Sequence, residues 1–139
     1  MAFSDGLYRD IGIKLTPQRL AILDFLNGNR QHPSADDVFR AVRRRFPTMS
    51  LATVYNTLDT LTRHGKVTPL TGDPGRKRFD PNTEPHDHII CRDCGRIVDV
   101  PTQRSITVGN RFRAGFEITG AHVEFTGICP DCRKRSIDR

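Results

Sequence analysis

Two cysteine pairs give the chain its clearest chemistry. Cys91 with Cys94, and Cys129 with Cys132, form two C-x-x-C motifs, each of which presents two sulfur atoms on a tight turn. Two such turns brought together supply the four thiolates of a closed, tetrahedral structural zinc site. Because 34 residues separate the two pairs, a small subdomain has to be threaded between them. Disulfides and a thioredoxin-like redox motif are the alternatives, although a redox motif needs only one pair at a strand–helix junction.

Histidines and aspartates form a second group of candidate metal ligands. His86 and His88 are two residues apart, which places both imidazoles on the same side of an extended segment. Asp80 lies six residues before His86, and Asp99 lies eleven residues after His88. These nitrogen and oxygen donors suit iron(II), manganese(II) or zinc without demanding one of them. The alternative interpretation is a pair of ordinary surface histidines.

Composition limits the class of protein. The 139 residues are 36% hydrophobic and carry a formal net charge of +6, which suits one domain or two small lobes with modest cores. The longest apolar run, Leu20–Leu23, is too short to span a membrane. Met1–Gly6 lacks the basic and apolar regions of a secretory signal. We therefore expect a cytoplasmic protein, in which four cysteines more often bind metal than form disulfides.

The basic charge is concentrated in the first part of the chain. Residues 1–80 contain 13 Lys and Arg against 8 Asp and Glu, whereas residues 81–139 contain 9 against 8. All four cysteines lie in the second part. A basic balance permits nucleic acid as a partner. The distribution therefore predicts two lobes with different roles.

The first lobe has the pattern of three helices followed by a hairpin. Capping residues and apolar residues at helical spacing predict helices between residues 16 and 28, 34 and 47, and 50 and 65. Strand candidates at Lys66–Leu70 and Arg76–Phe79 flank the turn residues Asp73-Pro74-Gly75. This order resembles a winged helix-turn-helix, whose third helix enters the major groove of DNA. The alternative is a helical lobe with an ordinary solvated surface.

In the winged arrangement, exposed residues of the third helix can reach base edges or phosphates, and the hairpin can reach phosphate. Basic residues before and within the first helix can add to the same surface. The candidate DNA-binding residues are Lys14, Arg19, Thr53, Tyr55, Asn56, Arg63, Arg76 and Lys77.

The second lobe has strand patterns on both sides of each cysteine motif. Residues 88–90 and 97–100 flank the first motif, and residues 123–125 precede the second. Residues 102–115 are a candidate helix, although Val108-Gly109-Asn110 weakens the pattern. A small sheet with one helix and a zinc site has spare edges and little core. We therefore expect this lobe to form a homodimer.

Taken in order, these motifs resemble the ferric uptake regulator family of metal-dependent repressors, and they are most similar to its peroxide-sensing branch. The resemblance covers about residues 12–134. It rests on Lys14–Arg19, His32–Asp37, Ser50–Asn56, Arg78–Asp80, His86–His88, Cys91–Gly95, Ile97–Asp99 and Gly127–Cys132.

The resemblance implies an α+β fold with two domains. A winged-helix DNA-binding domain would occupy residues 1–80, with a hinge at about 79–85. A small α/β dimerisation and metal-binding domain, with structural zinc, would occupy residues 86–139. The partners implied are a second copy of the chain and a double-stranded DNA operator with two-fold symmetry.

The resemblance also implies a regulatory Fe²⁺ or Mn²⁺ ion. Its ligands would be His32, Asp80, His86, His88 and Asp99. In the peroxide-sensing branch, iron reacts with hydrogen peroxide and a ligand histidine is oxidised, after which DNA is released. The histidines that match are His32 and His86.

Two other functions stay open on the same residues. One is an iron-level or other metal-responsive regulator on the same scaffold, and the other is an oxygenase using iron bound by His and Asp. An oxygenase needs open coordination positions, so we expect a regulator and not an enzyme. Iron-uptake relatives often carry His where this chain has Pro85, although His122 and Asp87 can still contribute to a further metal site. The simpler role for His122 is packing within the lobe.

Overall fold

A computed structural model describes residues 12–72, 75–102 and 106–138. The chain divides into two compact units, the first ending at Thr83 and the second beginning at Glu84. This division falls inside the segment 79–85 that was predicted as a hinge. Across the part of the chain that the model describes, no helix is long and apolar enough to cross a membrane.

Three helices build most of the first unit: α1 (Pro17–Leu26), α2 (Ala35–Arg43) and α3 (Leu51–Arg63). Each begins at a hydroxyl side chain that accepts a hydrogen bond from a backbone N–H of the first turn, as predicted. At α2 the cap is a full capping box, because the Asp37 carboxylate also accepts from the backbone N–H of Ser34 at 2.9 Å. The three predicted helices are therefore confirmed.

A two-stranded hairpin follows the helices. β1 (Thr68–Leu70) pairs antiparallel with β2 (Arg78–Asp80), so that Thr68 lies opposite Asp80. β1 starts later than predicted because the Lys66 N–H donates to the Leu61 carbonyl at 2.8 Å and so still belongs to the end of α3. Of the predicted turn residues, Asp73 and Pro74 lie outside the described residues. Three helices and this hairpin make a winged helix-turn-helix, as expected.

The first unit has its own hydrophobic core, to which all three helices and β2 contribute. Side chains of this kind stabilise a fold by roughly 1.5–3 kcal/mol each when they are fully buried. The buried apolar residues include Ile22, Leu23, Leu26, Val38, Val42, Val54, Leu58, Leu61 and Phe79.

The second unit is a small mixed sheet with one helix. Its strands β3 (His86–Cys91), β4 (Ile97–Pro101) and β5 (Glu124–Gly127) lie in the order β4-β3-β5. β4 runs antiparallel and β5 parallel to the central β3. Helix α4 (Pro130–Ile137) follows β5 directly.

The prediction of a helix over residues 102–115 is wrong for the part of this segment that the structure describes. Residues 106–115 contain one 3-10 turn, Asn110–Phe112, and residues 103–105 lie outside the described chain. Gly109, immediately before the turn, has an extended backbone with ψ at 145°. The helix of this unit is instead α4, which begins at the second cysteine motif with Pro130 in its first turn.

Candidate metal centres and nucleic-acid interface

The two cysteine motifs come together at one end of the small sheet. Cys91 is the last residue of β3, and Cys94 lies on the turn that follows it. Cys129 is the N-cap of α4, and Cys132 lies in its first turn. The four Sγ atoms lie within 4.8 Å of one another, and all four residues are free thiols. This arrangement is the closed four-sulfur set that zinc prefers.

The local electrostatics favour a cation among these sulfurs. The Cys129 backbone N–H donates to Cys91 Sγ at 3.3 Å, and this and other backbone hydrogen bonds lower the pKa of Cys91 to about 6. Burial, together with the neighbouring sulfurs, raises the pKa of Cys132 to about 12. A backbone hydrogen bond from Cys132 also lowers the pKa of Cys129. Because the pKa of Cys132 is raised, four thiolates at this site require a bound cation. The cysteine set therefore fits zinc.

The second unit also brings together three of the predicted regulatory ligands. His86 and His88 project from β3, and their Nε2 atoms are 3.0 Å apart. Asp99 lies opposite His88 on β4, and its Oδ1 is 3.4 Å from both Nε2 atoms. Because His86 Nδ1 contacts the Glu84 carbonyl at 2.6 Å, a proton on Nδ1 leaves the Nε2 lone pair available for a metal.

The other two predicted ligands lie together in the first unit. His32 Nε2 is 3.6 Å from Asp80 Oδ2, and both side chains are buried. The second oxygen of Asp80 accepts from the Asn82 backbone N–H at 2.9 Å, which fixes the carboxylate. His32 precedes α2 with a φ of 52°, in the left-handed region that non-glycine residues rarely adopt. Buried, conformationally constrained donors of this kind are typical of functional sites.

The two residues considered for a further metal site have different surroundings. Asp87 is buried on β3, where its Oδ1 accepts from the Val123 backbone N–H at 2.9 Å and fixes the approach to β5. His122 is exposed just before β5. The simpler interpretation, in which His122 packs within the lobe, does not fit this exposed position.

The candidate base-reading residues lie on the exposed side of α3. Val54, Leu58 and Leu61 face the core, which leaves Tyr55 (46% exposed) and Asn56 on the outside. Thr53 is half-buried at the helix start, where its hydroxyl contacts the N-cap, and Arg63 is exposed at the helix end. Lys14 is exposed, and its carbonyl accepts from Arg19 Nη1 at 2.6 Å.

The candidate phosphate contacts on the hairpin differ in their surroundings. Arg76 Nη2 lies 2.6 Å from Asp37 Oδ2 and 3.1 Å from Ser34 Oγ, so its guanidinium holds the hairpin to the start of α2. Lys77 is exposed, with its Nζ 5.6 Å from the centre of the Phe79 ring. Lys77 therefore presents the freer charge of the two.

Comparison with known proteins identifies the family. The model of the ferric uptake regulator family matches residues 10–126. The chain belongs to this family. Two curated relatives are the peroxide operon regulator of Bacillus subtilis (strain 168) and the peroxide-responsive repressor PerR of Staphylococcus aureus (strain Mu50). They are 39% and 40% identical over 129 residues, which cover 91% of this chain and 89% and 87% of the relatives.

A solved ferric uptake regulator has the same fold. The structure of the ferric uptake regulator from Francisella tularensis with iron matches with a TM-score of 0.69 and 27% identity, over 90% of this chain and 98% of that one. Proteins of the ferric uptake regulator family are DNA-binding, dimeric transcription regulators and not enzymes. The α+β fold with an N-terminal winged helix is confirmed by this match and by the elements described above.

Sequence reasoning missed the residues that orient the candidate ligands. The Glu84 carbonyl contacts the ring of His86, and the Arg78 guanidinium donates to the backbone of the Gln31–His32 turn. No sequence motif marks a backbone carbonyl. Arg78, however, is part of the Arg78-Phe79-Asp80 segment on which the resemblance partly rests.

Proposed function

We propose that this chain is a metal-dependent DNA-binding repressor of the cytoplasm that senses hydrogen peroxide through iron-dependent oxidation of its ligand histidines. The observation that carries the proposal is the convergence of His86 and His88 Nε2, 3.0 Å apart, on Asp99 Oδ1. The 39–40% identity to regulators named for peroxide supports the peroxide branch.

Two metal sites follow from the donor chemistry. The cysteine set would hold structural zinc, because four convergent thiols form a closed tetrahedral site. The regulatory site would take Fe²⁺ or Mn²⁺ with only nitrogen and oxygen donors, which suit both ions. Its proposed ligands are His32, Asp80, His86, His88 and Asp99.

The regulatory site would couple metal binding to DNA binding. Its five proposed ligands come from both units, so a bound ion favours the arrangement that brings all five together. A ligand that binds one arrangement better than another shifts the population toward it. In a dimer this arrangement would set the spacing of two α3 helices on a two-fold symmetric operator.

Peroxide would reverse the coupling through the ligands themselves. An Fe²⁺ ion held by these ligands would relay electrons from an imidazole to hydrogen peroxide and end as Fe²⁺. The ring of His32 or His86 would gain one oxygen atom from the peroxide, and the rest of the peroxide would leave as water. An oxidised ring is a poorer nitrogen donor, so the five-ligand arrangement loses its advantage and the operator is released. Each chain reacts once, which makes this a sensor and not a catalyst.

The small sheet supplies a surface for the homodimer. Ile89 on β3 lies opposite Val98 on β4 and Phe125 on β5, so the three side chains form one apolar strip across the sheet. Each is between 42% and 46% exposed. A continuous exposed apolar strip on a soluble domain favours association with another protein surface. We propose that a second copy of this chain covers it.

The test is operator binding with two metals. Protein loaded with Fe²⁺ or with Mn²⁺ under low oxygen is treated with hydrogen peroxide, and its affinity for a two-fold symmetric operator is measured. We expect both forms to bind before treatment and only the iron form to lose binding afterwards. Binding that survives peroxide in the iron form would favour the iron-level regulator. Binding that needs neither metal would overturn both functions.

A further inference from the structure

Strand β2 carries an arginine that holds the turn before α2. The Arg78 Nε donates to the His32 carbonyl, and Nη2 donates to the Gln31 carbonyl at 3.2 Å. The backbone of the same strand adds a third contact, because the Phe79 N–H donates to the Pro33 carbonyl at 2.9 Å. Three consecutive carbonyls, Gln31 to Pro33, are therefore bonded to two consecutive residues of one strand.

The residue held in this way has an unfavourable backbone conformation. His32 has a φ of 52°, and in this region the side chain of an L-residue crowds its own backbone. Such conformations persist where the surrounding structure over-determines them. Bonds from β2 hold three carbonyls of this turn, and Asp80, two residues after Arg78, is the carboxylate beside the His32 ring.

We propose that Arg78 is a positioning residue for His32, which keeps the His32 backbone left-handed so that its ring is aimed at the carboxylate of Asp80. The proposal rests on the proposed function in one respect, the role of His32 as a metal ligand. A guanidinium suits this task because its planar fork donates to two carbonyls at once. Lysine offers a single ammonium group and can replace only part of the contact.

The structure separates this role from a general effect of charge. Arg30 lies on the same turn, two residues before His32, and is exposed. Among the described residues it makes neither of the carbonyl contacts of Arg78. Arg30→Met removes one positive charge from the His32 turn and leaves the carbonyl contacts of Arg78 in place, so it is the matched control for Arg78→Met.

The first experiment uses the full-length zinc protein without regulatory metal. The ¹³Cα and ¹³Cβ chemical shifts of His32 report its backbone conformation, and the exchange rate of the Phe79 amide reports the neighbouring bond. We expect Arg78→Met to move the His32 shifts away from left-handed values and to speed exchange at Phe79. Arg78→Lys should show a smaller change in the same direction, and Arg30→Met should match the wild type.

The second experiment measures Mn²⁺ affinity by titration of the same four proteins. Residues that orient a metal-binding histidine typically change affinity about 10–100-fold when they are removed. We expect a loss of this size in Arg78→Met, a smaller one in Arg78→Lys, and no loss in Arg30→Met. Unchanged His32 shifts together with wild-type Mn²⁺ affinity in Arg78→Met would overturn the proposal.

Two further outcomes are decisive. If Arg78→Met loses the dispersed amide spectrum of a folded protein, the Arg78→Lys variant becomes the test of the proposal. Wild-type His32 shifts and wild-type Mn²⁺ affinity in Arg78→Lys would then overturn it. If wild-type protein binds neither Mn²⁺ nor Fe²⁺, the proposed function is wrong. The metal-free shifts of His32 then decide on their own whether Arg78 holds the turn, and shifts unchanged in Arg78→Met would overturn it.

Discussion

Loss of the cysteine site should unfold the second unit and leave the first unit folded. The perturbation is Cys132→Ser, which removes one of the two buried sulfurs of the four-thiol set. Zinc removal by a chelator is the matched perturbation of the wild-type chain. Both remove the cross-link between the turn after β3 and the start of α4.

The magnitude follows from how little apolar surface this unit buries. Besides two cysteines, the buried apolar residues among the described part of this unit are Ile90 and Ile97, which together contribute about 5 kcal/mol. Ordering the three strands and α4, which are six, five, four and eight residues long, costs about 23 kcal/mol at roughly 1 kcal/mol per residue. The shortfall of about 18 kcal/mol is close to the upper end of the range for structural zinc, roughly 10–16 kcal/mol. The exposed strip of Ile89, Val98 and Phe125 contributes only when a second copy covers it.

Hydrogen exchange followed by mass spectrometry measures this outcome segment by segment. In Cys132→Ser we expect fast exchange in peptides that cover residues 86–101 and 124–137, and wild-type protection in peptides that cover 17–26 and 51–63. Arg133→Ser is the control, because this exposed residue is adjacent to Cys132 in α4 and offers no sulfur. Wild-type protection of β3 in the zinc-free variant would contradict this prediction, and so would simultaneous unfolding of both units.

Two other predictions concern the first unit. Asp37→Asn should lower the free energy of unfolding by about 1–2 kcal/mol, because it weakens the capping box and the partly exposed pair with Arg76. The control variant Asp36→Asn should lower the free energy of unfolding by only a few tenths of a kcal/mol. Burial raises the pKa of Asp37, but hydrogen bonds from Ser34 and the charges of Arg76 and Arg40 outweigh it and lower the pKa overall. The Asp37 contribution is therefore complete above about pH 4 and is lost as the pH falls through the folded-state pKa. Urea denaturation at pH 7 and pH 3 tests both statements, and equal losses for the two variants would contradict them. Tyr55→Ala should weaken operator binding at least about tenfold while zinc content and dimer mass stay unchanged, and unaltered affinity would show that α3 is not the reading helix.

The sequence predicts the first unit well because its signals are local. Ser34 and Asp37 lie three residues apart, and the bonds they make with each other define the start of α2. The apolar spacing of α3 likewise indicates its buried face. A hydroxyl cap and a helical stripe require nothing from distant parts of the chain.

The second unit is harder to predict because its structure depends on contacts that are distant in sequence. β5 pairs with β3 from more than thirty positions away, and nothing in residues 124–127 specifies a parallel neighbour. Helix α4 is short and buries only Cys132, so its apolar pattern is weak despite Pro130 at its start. The residue pattern over 102–115 predicts a helix, but Gly109 interrupts that pattern.

The candidate ligands show the same limit. The i, i+2 spacing of His86 and His88 predicts their shared face, and the structure places their Nε2 atoms together. His32 has no such signal, because a histidine before a proline is usually exposed. Its turn is held by Arg78, which lies 46 positions later in the chain. A local residue pattern therefore reveals neither the burial nor the left-handed backbone of His32. Here the family resemblance was more informative than the residue pattern.

The most direct test of peroxide sensing is to locate oxygen added to the chain. Protein loaded with Fe²⁺ is treated with hydrogen peroxide under low oxygen, digested and analysed by mass spectrometry, with the Mn²⁺ form as the control. We expect one added oxygen atom on the peptide that contains His32 or on the one that contains His86, in the iron form alone, in parallel with the loss of operator binding. Unmodified His32 and His86 peptides in protein that still binds its operator would contradict it.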